Sequence, residues 1–304
     1  EEMAGVMIGY HTTSRNAKRE RLIGASRAMS VLLASCAVAA GSALAGAIPQ
    51  AAAGPTAPQR PGGWATGWPD PKCEGPTQKP MDLWDAVKDA TPTDPKHNEK
   101  VVFPGGPNDR AHGYAIHYGA APTASANDHL LVATIREQGI ECHNLLDSGA
   151  PEYFHDAYDN IGVLPNDTDW ALGIESADNR GRDQLHIHIS RLQKAARTDI
   201  DNAAKSIPTN ESGWSKTVIT VMNKKFRAWN APNLDHNLFL LLHDQIVKPL
   251  QNQKVKVGMA NETLLVTKNK KGSGVIVPCS DKVSPDTKPS GVNNIDLLLN
   301  KAAK

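Results

Sequence analysis

Residues 184–190 read QLHIHIS, with polar and apolar side chains alternating throughout. In an extended chain successive side chains point to opposite faces. Leu185, Ile187 and Ile189 therefore share one face, and Gln184, His186, His188 and Ser190 line the other as an open polar surface. Alternate side chains on that face stand roughly 7 Å apart. Three chemistries fit the pattern. The plainest is a solvated polar face. The second is a metal site: two histidines at i and i+2 can share a zinc ion, which then needs one or two further ligands. His117, His129, His243 and Glu175 are available for that. The third is covalent catalysis on phosphorus. A neutral imidazole nitrogen can attack phosphorus when a hydrogen bond to its other nitrogen fixes the tautomer. Donors beside it on the same face then stabilise the phosphoryl oxygens.

The loop ahead of the strand suits the third chemistry. Arg180 and Arg182 carry guanidinium groups that match phosphate oxygens. Gly181 between them lets the backbone approach an anion closely. Residues 175–183 form a charged loop entered from a strand at 171–174. Pro80 suits a first helical turn, and Met81, Leu83, Trp84 and Val87 follow at helical spacing. That predicts a helix over 80–90, and further helices are expected over 152–160, 195–207, 234–250 and 293–304. Strands are expected over 114–118, 129–135, 184–192 and 215–223, with a closing meander at 255–259, 263–267 and 274–277. Strands and helices mix without regular alternation, which predicts an α+β fold with an antiparallel sheet.

The 304 residues carry 33 basic against 32 acidic side chains, a balance that excludes an electrostatic nucleic-acid binder. Aromatics are 5%, too few for a base-stacking platform. Arg15, Lys18, Arg19, Arg21 and Arg27 precede an uncharged run over 29–48 with small residues at 45–47. Residues 1–47 thus read as a signal peptide or a membrane anchor, and an exported protein is expected. Residues 48–78, rich in Pro, Gly and Ala, read as a spacer, which leaves 79–304 as the folded domain. Cys73 and Cys279, near the two ends of the folded part, are the expected disulfide, with Cys142 left over.

RGRDQLHIHIS, at residues 180–190, resembles the signature of CDP-diacylglycerol pyrophosphatases, a branch of the histidine-triad superfamily. Three alternating positions, here Gln184, His186 and His188, are normally histidine there, and the first is Gln in part of this branch. DLWDAV at 82–87, HLLVATIREQGIE at 129–141 and YFHDAYDNI at 153–161 resemble the family's first helix, a strand with its loop, and the next helix. The likeness covers about residues 80–280. Two positions depart from the pattern: Glu175 stands where Asn is usual, and Arg182 where Gln is usual. A Glu there repels phosphate unless a neighbouring Arg, such as Arg182, pairs with it.

The resemblance implies a HIT-like antiparallel sheet with flanking helices. It also implies hydrolysis of CDP-diacylglycerol to CMP and phosphatidate through a nucleotidyl-histidine. His186 would be the nucleophile, with Gln184 and His188 orienting it and binding the transferred phosphoryl group. Arg180, Arg182, Glu175 and Ser190 would bind substrate. Neither metal nor cofactor is required by that scheme, and the partner would be a nucleotide-linked phospholipid at a membrane surface. Two alternatives stay open: a metal-dependent hydrolase using His186 and His188, and a catalytically silent nucleotide- or lipid-binding protein on the same scaffold.

Overall fold

The computed structural model describes residues 73, 79–119, 127–164, 169–280 and 294–301, all within one unit of the chain, 57–304. Among the described residues nine strands form a single sheet: β1 (Lys100–Val102), β2 (Tyr114–Tyr118), β3 (Asp128–Ala133), β4 (Trp170–Ile174), β5 (His186–Arg191), β6 (Val218–Val221), β7 (Lys224–Ala231), β8 (Leu264–Lys268) and β9 (Val275–Ser280). Their order is β1-β2-β3-β5-β4-β8-β9-β7-β6, and every neighbouring pair is antiparallel. The helices are α1 (Asp82–Val87), α2 (Tyr153–Tyr158), α3 (Lys194–Ala203), α4 (Leu238–Leu242) and α5 (Lys248–Asn252). This is the expected α+β architecture.

The long helix expected over 234–250 begins later and is interrupted. Asn237 caps α4 by accepting from the N–H groups of Phe239 and Leu240. A π-helical turn, His243–Val247, then joins α4 to α5. The strand expected over 215–223 starts at Val218, after a short 3-10 helix at Glu211–Lys216. Met222 and Asn223, both at positive φ, turn the chain tightly into β7, a strand that alternation does not predict. Residues 255–259 form no strand, and the helix expected over 293–304 is a short 3-10 helix at Ile295–Leu298.

Three apolar clusters explain where β5 lies. On one face Leu185, Ile187 and Ile189 join Leu131, Leu172 and Val266 beneath Phe154 of α2 and Phe239 of α4. On the other face Leu83 and Val87 of α1 pack over Ala115, Leu130 and Val132. Beside them Ala196 and Ile200 of α3, with Ile295 and Leu298, pack over Ala171 and Leu265. β5 runs between β3 and β4, so its polar face occupies the gap between these last two clusters. That face is not the open surface expected. Gln184 and Ser190 are fully buried, and His186 and His188 are 8% and 7% exposed. Segment 294–301 lies against it, with Lys301 and Asp296 at His188 and Ile295 over Gly173.

The disulfide joins Cys73 to Cys142, with Cα atoms 5.5 Å apart, rather than Cys73 to Cys279. Cys279 is buried within β9, between Arg227 of β7 and Leu264 of β8. Nearness to the end of the folded sequence places it in the middle of the sheet. Cys73, expected in a spacer, is instead part of the main core; the other spacer residues lie outside those described. Among the described residues no helix is long and apolar enough to cross a membrane. Against the expectation of an exported protein with a signal peptide or membrane anchor, no described helix supplies such an anchor. The segment 1–47 that prompted it lies outside the described residues.

Candidate active site

β5 pairs with β3 through Val132↔His186 and Leu130↔His188, and with β4 through Gly173↔His188. The strands on both sides thus set apolar or small residues against the two imidazoles. His186 Nδ1 lies 2.6 Å from the backbone carbonyl of Gln184. A carbonyl only accepts, so Nδ1 carries the proton and donates, and Nε2 keeps its lone pair. Burial, and then the charge of His188, push the His186 imidazole down to about 3. It is therefore neutral across the ordinary pH range, in one tautomer, with a nucleophilic nitrogen.

The His188 ring meets that of His186 edge-on, with centroids 5.2 Å apart and planes at 75°. Its Nδ1 donates to Asp128 Oδ1 at 2.9 Å. Burial opposes ionisation of Asp128, but the hydrogen bond and charge of His188 outweigh it and hold the carboxyl below its usual range. His188 Nε2 lies 3.3 Å from Lys301 Nζ and 3.7 Å from Asp296 Oδ1.

The other expected site residues are placed differently. Gln184 orients His186 through its backbone, not its amide. The amide Nε2 donates to the carbonyls of Ala133 (2.8 Å) and Ile135 (2.7 Å), and Oε1 accepts from Glu137 N–H at 3.3 Å. Arg180, expected to bind diphosphate, donates instead to Glu141 at 2.6 Å and Asp183 at 2.9 Å and is buried. Ser190 donates to the Asn127 carbonyl at 2.5 Å. Arg182 is half-exposed and pairs with Asp82 at 2.7 Å. The compensating pair of Glu175 with Arg182 does not form. Glu175 follows β4, is 6% exposed, and its Oε1 has no hydrogen-bond partner. Burial, and then the charge of Asp296, raise its carboxyl to about 7.

The residues offered as extra metal ligands are scattered. His117 shares the face of His188 but has Leu130 between them, and its Nδ1 contacts Asn98 at 2.9 Å. His129 is on the core face of β3, bonded to Glu99 at 2.5 Å, and His243 sits in the π-helical turn. Among the described residues no group of three or more His, Cys, Asp or Glu is placed to hold a metal ion.

Sequence reading missed Asp128 and Lys301. Asp128 is 60 residues from His188 and Lys301 is 113, and only strand pairing and the path of segment 294–301 bring them in. No local pattern marks either one.

Two comparisons bear on this arrangement. A family model described as CDP-diacylglycerol pyrophosphatase matches residues 78–292, more than half of the chain. A CDP-diacylglycerol pyrophosphatase from Yersinia pestis is 40% identical over 77 residues. That stretch is 23% of this chain and spans 30% of the length of that relative.

Proposed function

Because the chain belongs to the CDP-diacylglycerol pyrophosphatase family, we propose that it hydrolyses the pyrophosphate bond of CDP-diacylglycerol to CMP and phosphatidate. The observation that carries this reading is the His186 Nδ1 bond to the Gln184 carbonyl, which leaves a neutral Nε2 on the polar face of β5 with its lone pair available. In the first step Nε2 attacks the phosphorus of the CMP moiety. The bond to the bridging oxygen breaks, and phosphatidate departs with the electron pair. It leaves as a phosphate monoester and needs little protonation. In the second step water attacks the same phosphorus, the P–N bond breaks, its electrons return to Nε2, and the proton that the water loses passes to solvent.

On this reading the sheet is a HIT-like scaffold, and the catalytic domain spans 79–304 with Cys73 tethered to it. Gln184 and Asp128 are positioning residues, acting on His186 and His188. Arg180 and Ser190 brace the walls, and Arg182 at the rim meets the nucleotide or its phosphates. The acyl chains keep such a substrate in a lipid surface, where the enzyme must meet it.

The test is turnover of CDP-diacylglycerol dispersed in detergent. His186→Ala is expected to abolish release of CMP, and quenching the wild type during turnover should trap an acid-labile nucleotidyl adduct on His186. Undiminished activity in His186→Ala rules out the covalent route. Loss of activity with EDTA, restored by zinc, would favour the metal-dependent alternative.

A further inference from the structure

The segment 294–301 is remote in sequence from the histidines and reaches them in space. Ile295 and Leu298 bury in the cluster over β4 and β8. Leu299 bridges to Leu192, the Leu298 carbonyl accepts from Gln193 N–H at 2.8 Å, and Asn300 N–H donates to the Arg191 carbonyl at 2.6 Å. The segment is thereby fastened along the end of β5. Lys301 follows at once, with Nζ 3.3 Å from His188 Nε2 and paired with the carboxylate of Asp296.

Resting on the pyrophosphatase reading, we propose that Lys301 is a substrate-binding residue whose ammonium group takes the non-bridging oxygens of the diphosphate. His188 is in ring contact with His186, so this cation touches the immediate neighbour of the nucleophilic imidazole, and its charge acts on that imidazole. Arg180, expected to bind phosphate, is held in the interior by Glu141 and Asp183, and Arg182 stands at the rim, paired with Asp82. Lys301 is paired to a half-exposed carboxylate of its own segment. Such a pair contributes little to stability, and a phosphate oxygen can take the place of the carboxylate on the ammonium group. Segment 294–301 lies beyond the family match at 78–292, so this cation is supplied from outside the matched region.

The full chain should be titrated calorimetrically with CDP, as a diphosphate probe, and with cytidine, which has no phosphate. Lys301→Gln is expected to weaken CDP binding about tenfold or more, as loss of a charge-assisted bond does. Lys301→Arg should keep most of the affinity, and cytidine should bind all three proteins alike. Equal CDP affinity in the wild type and Lys301→Gln overturns the proposal. So does a parallel loss of CDP and cytidine, which marks a purely structural role. CDP-diacylglycerol turnover by the wild type, run alongside, tests the hydrolase reading separately. Absence of turnover with Lys301-dependent CDP binding sinks that reading and leaves the binding role of Lys301 standing.

Discussion

Glu175 is the residue whose chemistry departs most from its surroundings. A buried carboxylate with an unpartnered oxygen, close to Asp296, is held protonated up to about pH 7. Its carboxyl is raised above its unfolded value, so between about 4.5 and 7 the folded state binds more protons than the unfolded one. Stability therefore falls as pH rises through that window, and the full penalty is present above it. Glu175→Gln keeps the shape and removes the charge. The variant is expected to melt several degrees higher than the wild type at pH 8 and at nearly the same temperature at pH 4. Thermal melts across that range check it. Asp156, raised to about 7 by burial, leaves a residual slope in both proteins. Identical slopes in the two would show that Glu175 is not the strained group. His186 is shifted in the opposite sense, toward neutrality, because burial disfavours its cationic form. One site thus holds an acid and a base, both of which desolvation keeps uncharged between about pH 3 and pH 7.

At the scale of elements, contact between β4 and segment 294–301 decides whether the polar face of β5 is covered. Gly173 sits beside His188, and a Cβ there would lie 3.3 Å from both Cγ atoms of Ile295. A methyl group there would make Ile295 give way by a few tenths of an ångström. Gly173→Val adds further methyl groups and must push Ile295 away. Such overpacking is expected to cost about 1–3 kcal/mol. Because Lys301 rides on the same segment, CDP binding should weaken along with stability. Denaturant melts and CDP titration of this variant measure the two effects together. A stable variant with unaltered binding would mean that the segment is not anchored through Ile295.

For the molecule as a whole, the disulfide ties Cys73 to the loop that follows β3. It closes a loop of 69 residues, and links of that size stabilise by about 2–4 kcal/mol, chiefly through the unfolded chain. Cys73→Ser and Cys142→Ser should each lower stability by that amount. The double variant should lose little more than either single one, because one bond is removed in all three. Additive losses from the two substitutions would contradict the pairing. Alkylation of the denatured, unreduced protein should label Cys279 and spare Cys73 and Cys142.

The alternation in QLHIHIS was enough to assign the two faces of β5. Side-chain direction in a strand is a local property with a period of two, and tertiary structure cannot change it. The helical spacing of Leu83 and Val87, and the apolar strands at β2 and β3, were readable for the same reason. β7 was not readable. Its sequence, KKFRAWNA, begins exposed and is then covered on both sides, which erases the alternation that marks a half-buried strand. Tertiary structure alone decided that the histidine face is buried, because what reaches it includes segment 294–301, more than a hundred residues away in sequence. It alone decided that Arg180 and the Gln184 amide brace the site. It supplied Asp128 and Lys301 from 60 and 113 residues away. Residue type and spacing specify what a side chain can do. Which partner it meets depends on strand register and on how the chain closes across the sheet, and those are settled only when the whole core packs.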